Sequence, residues 1–353
     1  MGDNDLMGVP FRIAEEFLPK VTQLVLLSLG TLVVAIFAFS LRAQNAESVG
    51  VRSQVSSTSS SRIEISRIQP GLERISFSRG GWIYLASVSS GQETKLVEGQ
   101  NPHLDSTGRR VAFLSVEKAE GVLKQVFTPA GRLRILDLQS KEIRDFVTLR
   151  DLRVTNPIWS NDGTRIAILI GSTDTTGPSL GILDPDTGTL RNRITEGWDA
   201  VAQREGVYLD SWAPDDQSIL FHTLGALYEA RLDGNAVEKI AVSELFKSGE
   251  ISSASRFSYS SDKRYLLFDR TIDTGKPEQV ISVFDLKTST LRNVVPTGIN
   301  ARSPRWLPGG NEILFSRVQR IKNRFRSTIC KIALDGTGLT PLVSDADYAS
   351  YSK

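Results

Sequence analysis

The sequence predicts an all-β fold, a six-bladed β-propeller of four-stranded antiparallel blades preceded by a single N-terminal transmembrane helix. Three observations predict it: a ten-residue segment recurs in register along the chain, a second segment follows each copy, and one uncharged apolar run stands ahead of them all. Of the 353 residues, 40% are hydrophobic and 23% charged, the apolar content of a folded chain and not of a disordered one.

Residues 1–20 form an N-terminal tail, acidic in part through Asp3, Asp5, Glu15 and Glu16. From Val21 to Leu41 there is no charged residue. A helix of that length, at about 1.5 Å per residue, just crosses a hydrocarbon core of roughly 30 Å. Residues 21–41 therefore read as a transmembrane helix or uncleaved signal anchor. A cleaved secretory signal is the alternative, with Ala38-Phe39-Ser40 as its small-residue site, and the long acidic leader speaks against it. Arg12 and Lys20 before the run balance Arg42 and Arg52 after it, so the positive-inside rule does not choose an orientation. Residues 42–61, with the stretch SQVSSTSSS at 53–61, form a Ser-rich flexible linker.

The recurring segment is clearest at Trp159–Ile168 (WSNDGTRIAI), Trp212–Phe221 (WAPDDQSILF), Tyr259–Phe268 (YSSDKRYLLF) and Trp306–Phe315 (WLPGGNEILF), with a weaker copy at Leu104–Phe113 (LDSTGRRVAF). The second segment appears as Arg134–Lys141, Gly181–Gly188, Leu227–Gly234, Val283–Thr288 and Cys330–Gly336, and first of all as Trp82–Gly91. Taking Ser87, Asp137, Asp184, Arg231, Asp285 and Ala333 as equivalent points, the spacings are 50, 47, 47, 54 and 48 residues. Six such units fill residues 62–353, and a period of this size marks a propeller or solenoid.

Each unit has a physical reading. An aromatic ends one short strand, and Ser-x-Asp-Gly makes a tight turn in which Ser or Asp bonds local amides and Gly takes a left-handed backbone. The apolar run that follows, as in Ile166–Ile170, Ile219–Phe221 and Leu266–Phe268, belongs to a strand covered on both faces. A third strand ends in a second turn at Asp-x-x-Thr-Gly or Leu-Asp-Gly, and a fourth leaves through Leu190 or Leu291. Four antiparallel strands per unit describe a blade. Closure has two solutions. In one, Tyr348–Ser352 (YASYS) matches Arg256–Ser260 (RFSYS), so the C-terminus supplies the inner strand of the first blade. In the other, Ile68–Phe77 aligns with Trp306–Phe315 and the first blade is complete by itself.

The Pro-x-Trp-Ser-x-Asp-Gly-x-x-Ile-Ala core, fullest at Pro157–Ala167 and partial at Pro304–Leu314, resembles the WD40-like repeat called PD40 found in TolB-type propellers. The resemblance covers residues from about 62 to the end and implies the fold, not the function. TolB-type proteins carry an α/β domain ahead of the propeller, where this chain has the apolar run and linker. The apolar run makes the chain a single-pass membrane protein in this reading, and the resemblance implies a propeller on the extracytoplasmic side, periplasmic or outer.

Chemistry is weakly signalled. The single cysteine, Cys330, excludes an internal disulfide and a cysteine-based zinc cluster, and two histidines, His103 and His222, are too few for a His-rich metal site. One Gly-x-Ser-x-Gly pentapeptide occurs, Gly177–Gly181 (GPSLG), but it leads straight into a repeated blade segment and not onto a strand-to-helix turn, so no fused serine hydrolase is read from it. Asp162, Asp215 and Asp262 sit in the turns of different blades and read as turn residues, not as acid/base partners. His103 reads as a polar residue at the channel strand and His222 as a satisfied histidine at a strand end. No catalytic residue, cofactor or metal is assigned.

One departure from the repeat stands out. In the last unit the link between second and third strands, Ser316–Arg326 (SRVQRIKNRFR), holds Arg317, Arg320, Lys322, Arg324 and Arg326, no acid, and Phe325. A solvated hairpin is one reading, and a site for an anionic partner such as phospholipid head groups or an acidic protein face is the other. The whole chain, at a net charge of +2, is no general polyanion binder, and without a groove or stacking platform nucleic acid is not expected as partner. The irregular insertions Glu117–Arg132, Thr195–Leu209 and Ser243–Ser255, with Trp198 and Phe246, are further candidates for recognition. The sequence therefore predicts a membrane-anchored, non-catalytic binding module or scaffold that recruits a protein or envelope polymer through its loops and channel. The alternative is a lyase or hydrolase acting on saccharides inside the channel.

Overall fold

The computed structural model describes residues 73–115, 131–146, 154–171, 178–192, 206–233 and 237–352, with Leu149, Leu152, Trp198, Val201 and Ala202 between them. The expected tail, apolar run and linker of residues 1–61 lie outside the described residues, as does most of the first insertion. Among the described residues no helix is long and apolar enough to cross a membrane.

The described residues between Arg74 and Ser352 form six four-stranded antiparallel sheets. The first blade runs from channel to rim as β24 (Asp347–Ser352), β1 (Arg74–Arg79), β2 (Trp82–Ser87) and β3 (Glu93–Glu98). The second is β4 (Gln100–Leu104), β5 (Arg110–Ser115), β6 (Arg132–Asp137) and β7 (Ile143–Asp145), and the third is β8 (Val154–Trp159), β9 (Ile166–Ile170), β10 (Ser179–Leu183) and β11 (Leu190–Asn192). The fourth holds β12 (Tyr208–Trp212), β13 (Ser218–His222), β14 (Ala226–Arg231) and β15 (Val237–Ala241), followed by the one-turn helix α1 (Val242–Leu245). The fifth holds β16 (Phe257–Tyr259), β17 (Tyr265–Asp273), β18 (Pro277–Asp285) and β19 (Thr290–Asn293). The sixth holds β20 (Ala301–Trp306), β21 (Glu312–Ile321), β22 (Arg324–Ala333) and β23 (Thr340–Ser344).

The sheet order decides between the two closures. The C-terminal strand β24 pairs with β1, Arg74 opposite Ser352 and Ser76 opposite Ser350, so the last residues complete the first blade. Joining the chain ends leaves no open edge at the start or finish of the ring.

The second strand of each blade is buried on both faces because the apolar interior is divided among the seams between blades. Along β9, Ile166, Ile168 and Ile170 pack with residues of the second blade, whereas Ala167 and Leu169 pack with those of the fourth. In β17, Leu266 and Phe268 face the fourth blade and Leu267 faces the sixth. Successive side chains of a strand point to opposite faces, so an unbroken apolar run is what a strand between two seams requires.

Polar contacts repeat at the same seams. The Trp159 indole N–H donates to the His103 carbonyl at 3.0 Å, that of Trp212 to the Ile158 carbonyl at 3.0 Å, and that of Trp306 to the Ser258 carbonyl at 3.2 Å. Every acceptor belongs to the inner strand of the preceding blade. The Arg110 guanidinium lies 4.6 Å from the Trp159 ring centre and donates to the Gly163 carbonyl, and that of Arg165 lies 4.9 Å from Trp212 and donates to the Asp216 carbonyl. Gly163 turns with φ near +71°, and a Cβ there would meet Ser106 Oγ at 2.9 Å. Asp216 holds the equivalent left-handed position without being glycine, and its carboxylate accepts from the Asn161 and Asp162 amides across the seam, each at 2.8 Å.

Replacing Trp212 with Phe removes that indole donor from a buried seam and should cost about 1–3 kcal/mol, read as a lower urea midpoint at unchanged slope. Deleting residues 347–353 uncovers the β1 edge and should replace one cooperative unfolding transition with a broader one at lower temperature, measured by calorimetry.

Candidate functional site

The five basic residues singled out in the sequence lie on one hairpin, β21–β22, whose ten-residue strands are the longest described. Lys322 and Asn323 form its turn with φ of 47° and 63°, the two left-handed residues that a tight two-residue hairpin uses. Arg320 pairs with Phe325, Ile321 with Arg324, Gln319 with Arg326 and Arg317 with Thr328. Directly opposed residues share a face. One face therefore carries Arg317, Ile321, Arg324 and Arg326, and the other carries Arg320 with Phe325. Phe325 is 76% and Ile321 43% exposed, so two of the five exposed large apolar residues described stand at this tip. Arg326 lies 3.6 Å from the Asp345 carboxylate and Arg320 donates to Asn323 Oδ1, while among the described residues Arg317, Lys322 and Arg324 meet no acid. Cys330, lower in β22, is buried, and burial pushes its thiol up to about 11, which leaves it unreactive near neutrality.

The second candidate is the channel. Asn101, Pro102, His103, Asn156, Pro157, Ile158, Leu209, Asp210, Arg256, Ser303, Arg305 and Ser350 line a partly open pocket of about 50 Å³. At roughly 10–15 Å³ per water, that is room for a few waters. Five of the six inner strands bulge against their neighbours, in β4, β8, β12, β20 and β24. Three bulges contain a residue before proline in left-handed backbone, Asn101, Asn156 and Ser303, with φ of 51°, 47° and 55°. Proline disfavours the helical region in its predecessor and offers no N–H, so Asn-Pro or Ser-Pro breaks the ladder at the channel wall.

Behind this wall, buried polar side chains tie the fourth blade to the fifth. His222 Nδ1 lies 2.9 Å from the Asp210 carboxylate and Nε2 lies 3.1 Å from the Ser252 carbonyl, each within hydrogen-bonding distance. Asp210 also accepts from the Phe257 amide at 3.2 Å, and Asp269 accepts from the Arg256 amide at 2.9 Å. Burial pushes the Asp269 carboxyl up to about 6, opposed by the Arg256 amide and charge. Burial, and then the Arg305 charge, pushes His103 down to about 3. Arg305 is pushed down to about 10 by burial and by the Arg256 charge beside it.

Asp162 accepts from the Ser160 hydroxyl and Thr164 amide and Asp262 from the Ser260 hydroxyl and Arg264 amide, as their turn reading requires. Asp215 caps Gln217 and pairs with Lys263 at 2.8 Å. Trp198 is fully buried on Phe221, and Phe246 stacks on Phe268 under Arg270, so both serve as lids on the ring. Inner strands read as carrying Pro, Ile, Ser, Arg and one His also carry Asp210. It occupies the position that Pro102, Pro157 and Pro304 hold in other blades, which is the signal that marks it. Among the described residues no group of three or more His, Cys, Asp or Glu could hold a metal ion.

Comparison with protein-family models finds no match, and comparison with curated proteins finds none either. Solved structures do match. TolB from Acinetobacter baumannii superposes with a TM-score of 0.58 at 14% identity, over 80% of this chain and 67% of that one. A TolB assigned in Agrobacterium tumefaciens gives 0.51 at 15% identity, over 77% and 89%. A chain of a nidogen–laminin complex gives 0.53 at 6% identity, over 79% and 98%. This chain has the fold of the TolB propellers. Identities this low establish the fold alone.

The neutral ring is the native form of His103. An unfolded histidine takes up its proton near pH 6.5 and this one only near 3, so unfolding binds a proton between those values and acid lowers stability there. Asp269 acts oppositely: its contribution grows as pH falls through about 6. Replacing His103 with Gln should remove the first effect alone, so that urea midpoints measured from pH 6.5 down to 4 fall less steeply than in the parent.

Proposed function

We propose that this protein is a membrane-anchored, non-catalytic binding module that recruits a protein or an anionic envelope component, with the β21–β22 hairpin as its contact surface. The observation that carries the reading is the hairpin tip: Arg317, Lys322 and Arg324 without acidic partners among the described residues, beside exposed Ile321 and Phe325. Cationic side chains flanking exposed apolar ones suit a surface that is negatively charged at its rim and apolar just beneath, such as anionic lipid or an acidic protein face. The 20-residue linker at 42–61 fits this role, with roughly 25 Å of root-mean-square reach at about 5–6 Å times the square root of residue number. One protein of this fold stands in a nidogen–laminin complex, so the scaffold supports protein partners elsewhere. A saccharide-cleaving site in the channel is the competing reading, and its residues would be those that line the channel pocket, His103, Asp210, Arg256 and Arg305 among them.

Replacing Arg320, Lys322, Arg324 and Arg326 together with Ser should leave thermal stability within about 0.5 kcal/mol of the parent, since exposed surface changes rarely do more. Binding of the propeller, residues 64–353, to vesicles rich in anionic lipid or to acidic partners should fall at least tenfold, read by co-sedimentation. Equal binding before and after the change sinks the proposal. The extracytoplasmic placement is tested separately by protease digestion of a C-terminally tagged chain in cells with a permeable outer layer, where cleavage before lysis is the expected result.

A further inference from the structure

The charges around the channel cavity are unevenly satisfied. Asp210 is engaged by His222 and the Phe257 amide, and Asp269 by the Arg256 amide. The Arg256 guanidinium turns onto the Ser253 and Ser255 carbonyls at 3.3 and 2.7 Å. Arg305 is left over: it lines the cavity half-buried, and among the described residues it makes no hydrogen bond and no ion pair. Burial, and then the positive charge of Arg256, weaken its hold on a proton, while Asp210 and Asp269 act the other way without bonding to it. Two guanidinium groups on one small pocket, one of them without a hydrogen-bonding partner among the described residues, suit an anion that would accept from it.

The rest of the wall suits such an anion. Asn101, Asn156 and Ser303 are polar residues of the lining, whereas the Ser350 hydroxyl is taken up by Ser76 and the Leu104 amide. Asn101 Oδ1 is buried and meets no donor in the protein. Rotating that amide about its last bond brings its NH₂ to the same place, where an anion would accept from it. Asn101 and Ser303 are also two of the three left-handed residues before proline, and backbone strain of this kind gathers at ligand sites. A volume of about 50 Å³ admits a group of three or four heavy atoms, and the planar fork of an arginine matches a carboxylate with two parallel hydrogen bonds.

We propose that the central channel is a binding site for a small carboxylate of formate or acetate size, with Arg305 as its direct ligand, Asn101 and Ser303 as hydrogen-bonding partners, and Arg256 as a second positive charge. The site lies on the inner strands, and its existence does not depend on the hairpin surface or its partner.

The test is titration of ¹³C-labelled formate against the full chain in neutral detergent micelles, followed by the width of the formate carbon line. Saturable broadening, reversed by unlabelled acetate, is expected. Arg305→Gln should weaken the affinity roughly tenfold or more, the usual effect of losing a charge-assisted hydrogen bond. Arg305→Lys, which keeps the charge but not the fork, should fall between. Ser303→Ala, which disturbs no charge, should weaken binding several-fold and keeps the test alive should the arginine variants fail to fold. Absence of saturable broadening in the parent overturns the proposal, as does unchanged affinity in a folded Arg305→Gln chain. Displacement by chloride as effective as by acetate overturns the carboxylate assignment.

Discussion

The ring depends on the indole N–H that ends an inner strand and reaches back to the carbonyl of the blade before it. Trp159, Trp212 and Trp306 make this bond, and an arginine of the preceding blade lies over two of the three rings. The second blade has Leu104 at the same position and uses its backbone instead, donating its amide to Ser350 Oγ at 2.8 Å. In the fifth blade Tyr259 reaches Glu229 of the fourth with its hydroxyl at 3.2 Å. Different residues thus satisfy one geometric need, which is to fix the rotation of each blade against the last while its apolar side chains interlock.

Six apolar clusters, one per seam, follow from this arrangement. A blade taken alone would expose both of its faces, so its stability is that of its neighbours' contacts, as in other repeat architectures. Closure then matters more than any single blade. The seam between the sixth and first blades, where Ile75, Phe77 and Ala86 meet Leu307, Leu314, Ile329, Val343 and Ala346, joins the two ends of the described chain. The basic hairpin rises from that sixth blade, on strands whose lower halves are fixed by the same cluster. A rigid base with a projecting tip lets the contact surface vary while the ring stays as it is.

The two candidate sites differ in how they were legible. The hairpin is visible in sequence because its charge breaks the repeat: the link between Ser316 and Arg326 holds five basic residues and no acid. The channel is hidden because its residues come from different blades and are separated by about fifty positions each. Asp210 appears only when inner strands are laid over one another and a carboxylate is found where prolines stand. His222 and Asp269 follow the buried apolar runs of successive blades and look unremarkable until folding brings Asp210 to one and the Arg256 amide to the other. Trp198 and Phe246, read as loop aromatics, turn inward because each finds a phenylalanine of the ring to cover.

By itself the sequence determined the number of blades, the four strands in each, the turns and the double-faced burial of the second strands. These features are set by local rules repeated in register: turn chemistry at Ser-x-Asp-Gly and the two-residue period of a strand. It also offered both ways of closing the ring. Only the tertiary structure chose β24 as the partner of β1, since the repeat matched both Tyr348–Ser352 and Ile68–Phe77 and the pairing itself is set by contacts between distant residues. Only the tertiary structure, likewise, set Arg305 beside Arg256 at a cavity whose acids are already bound. Electrostatic environment is a property of what surrounds a residue, and the surroundings of a channel are assembled from the whole ring.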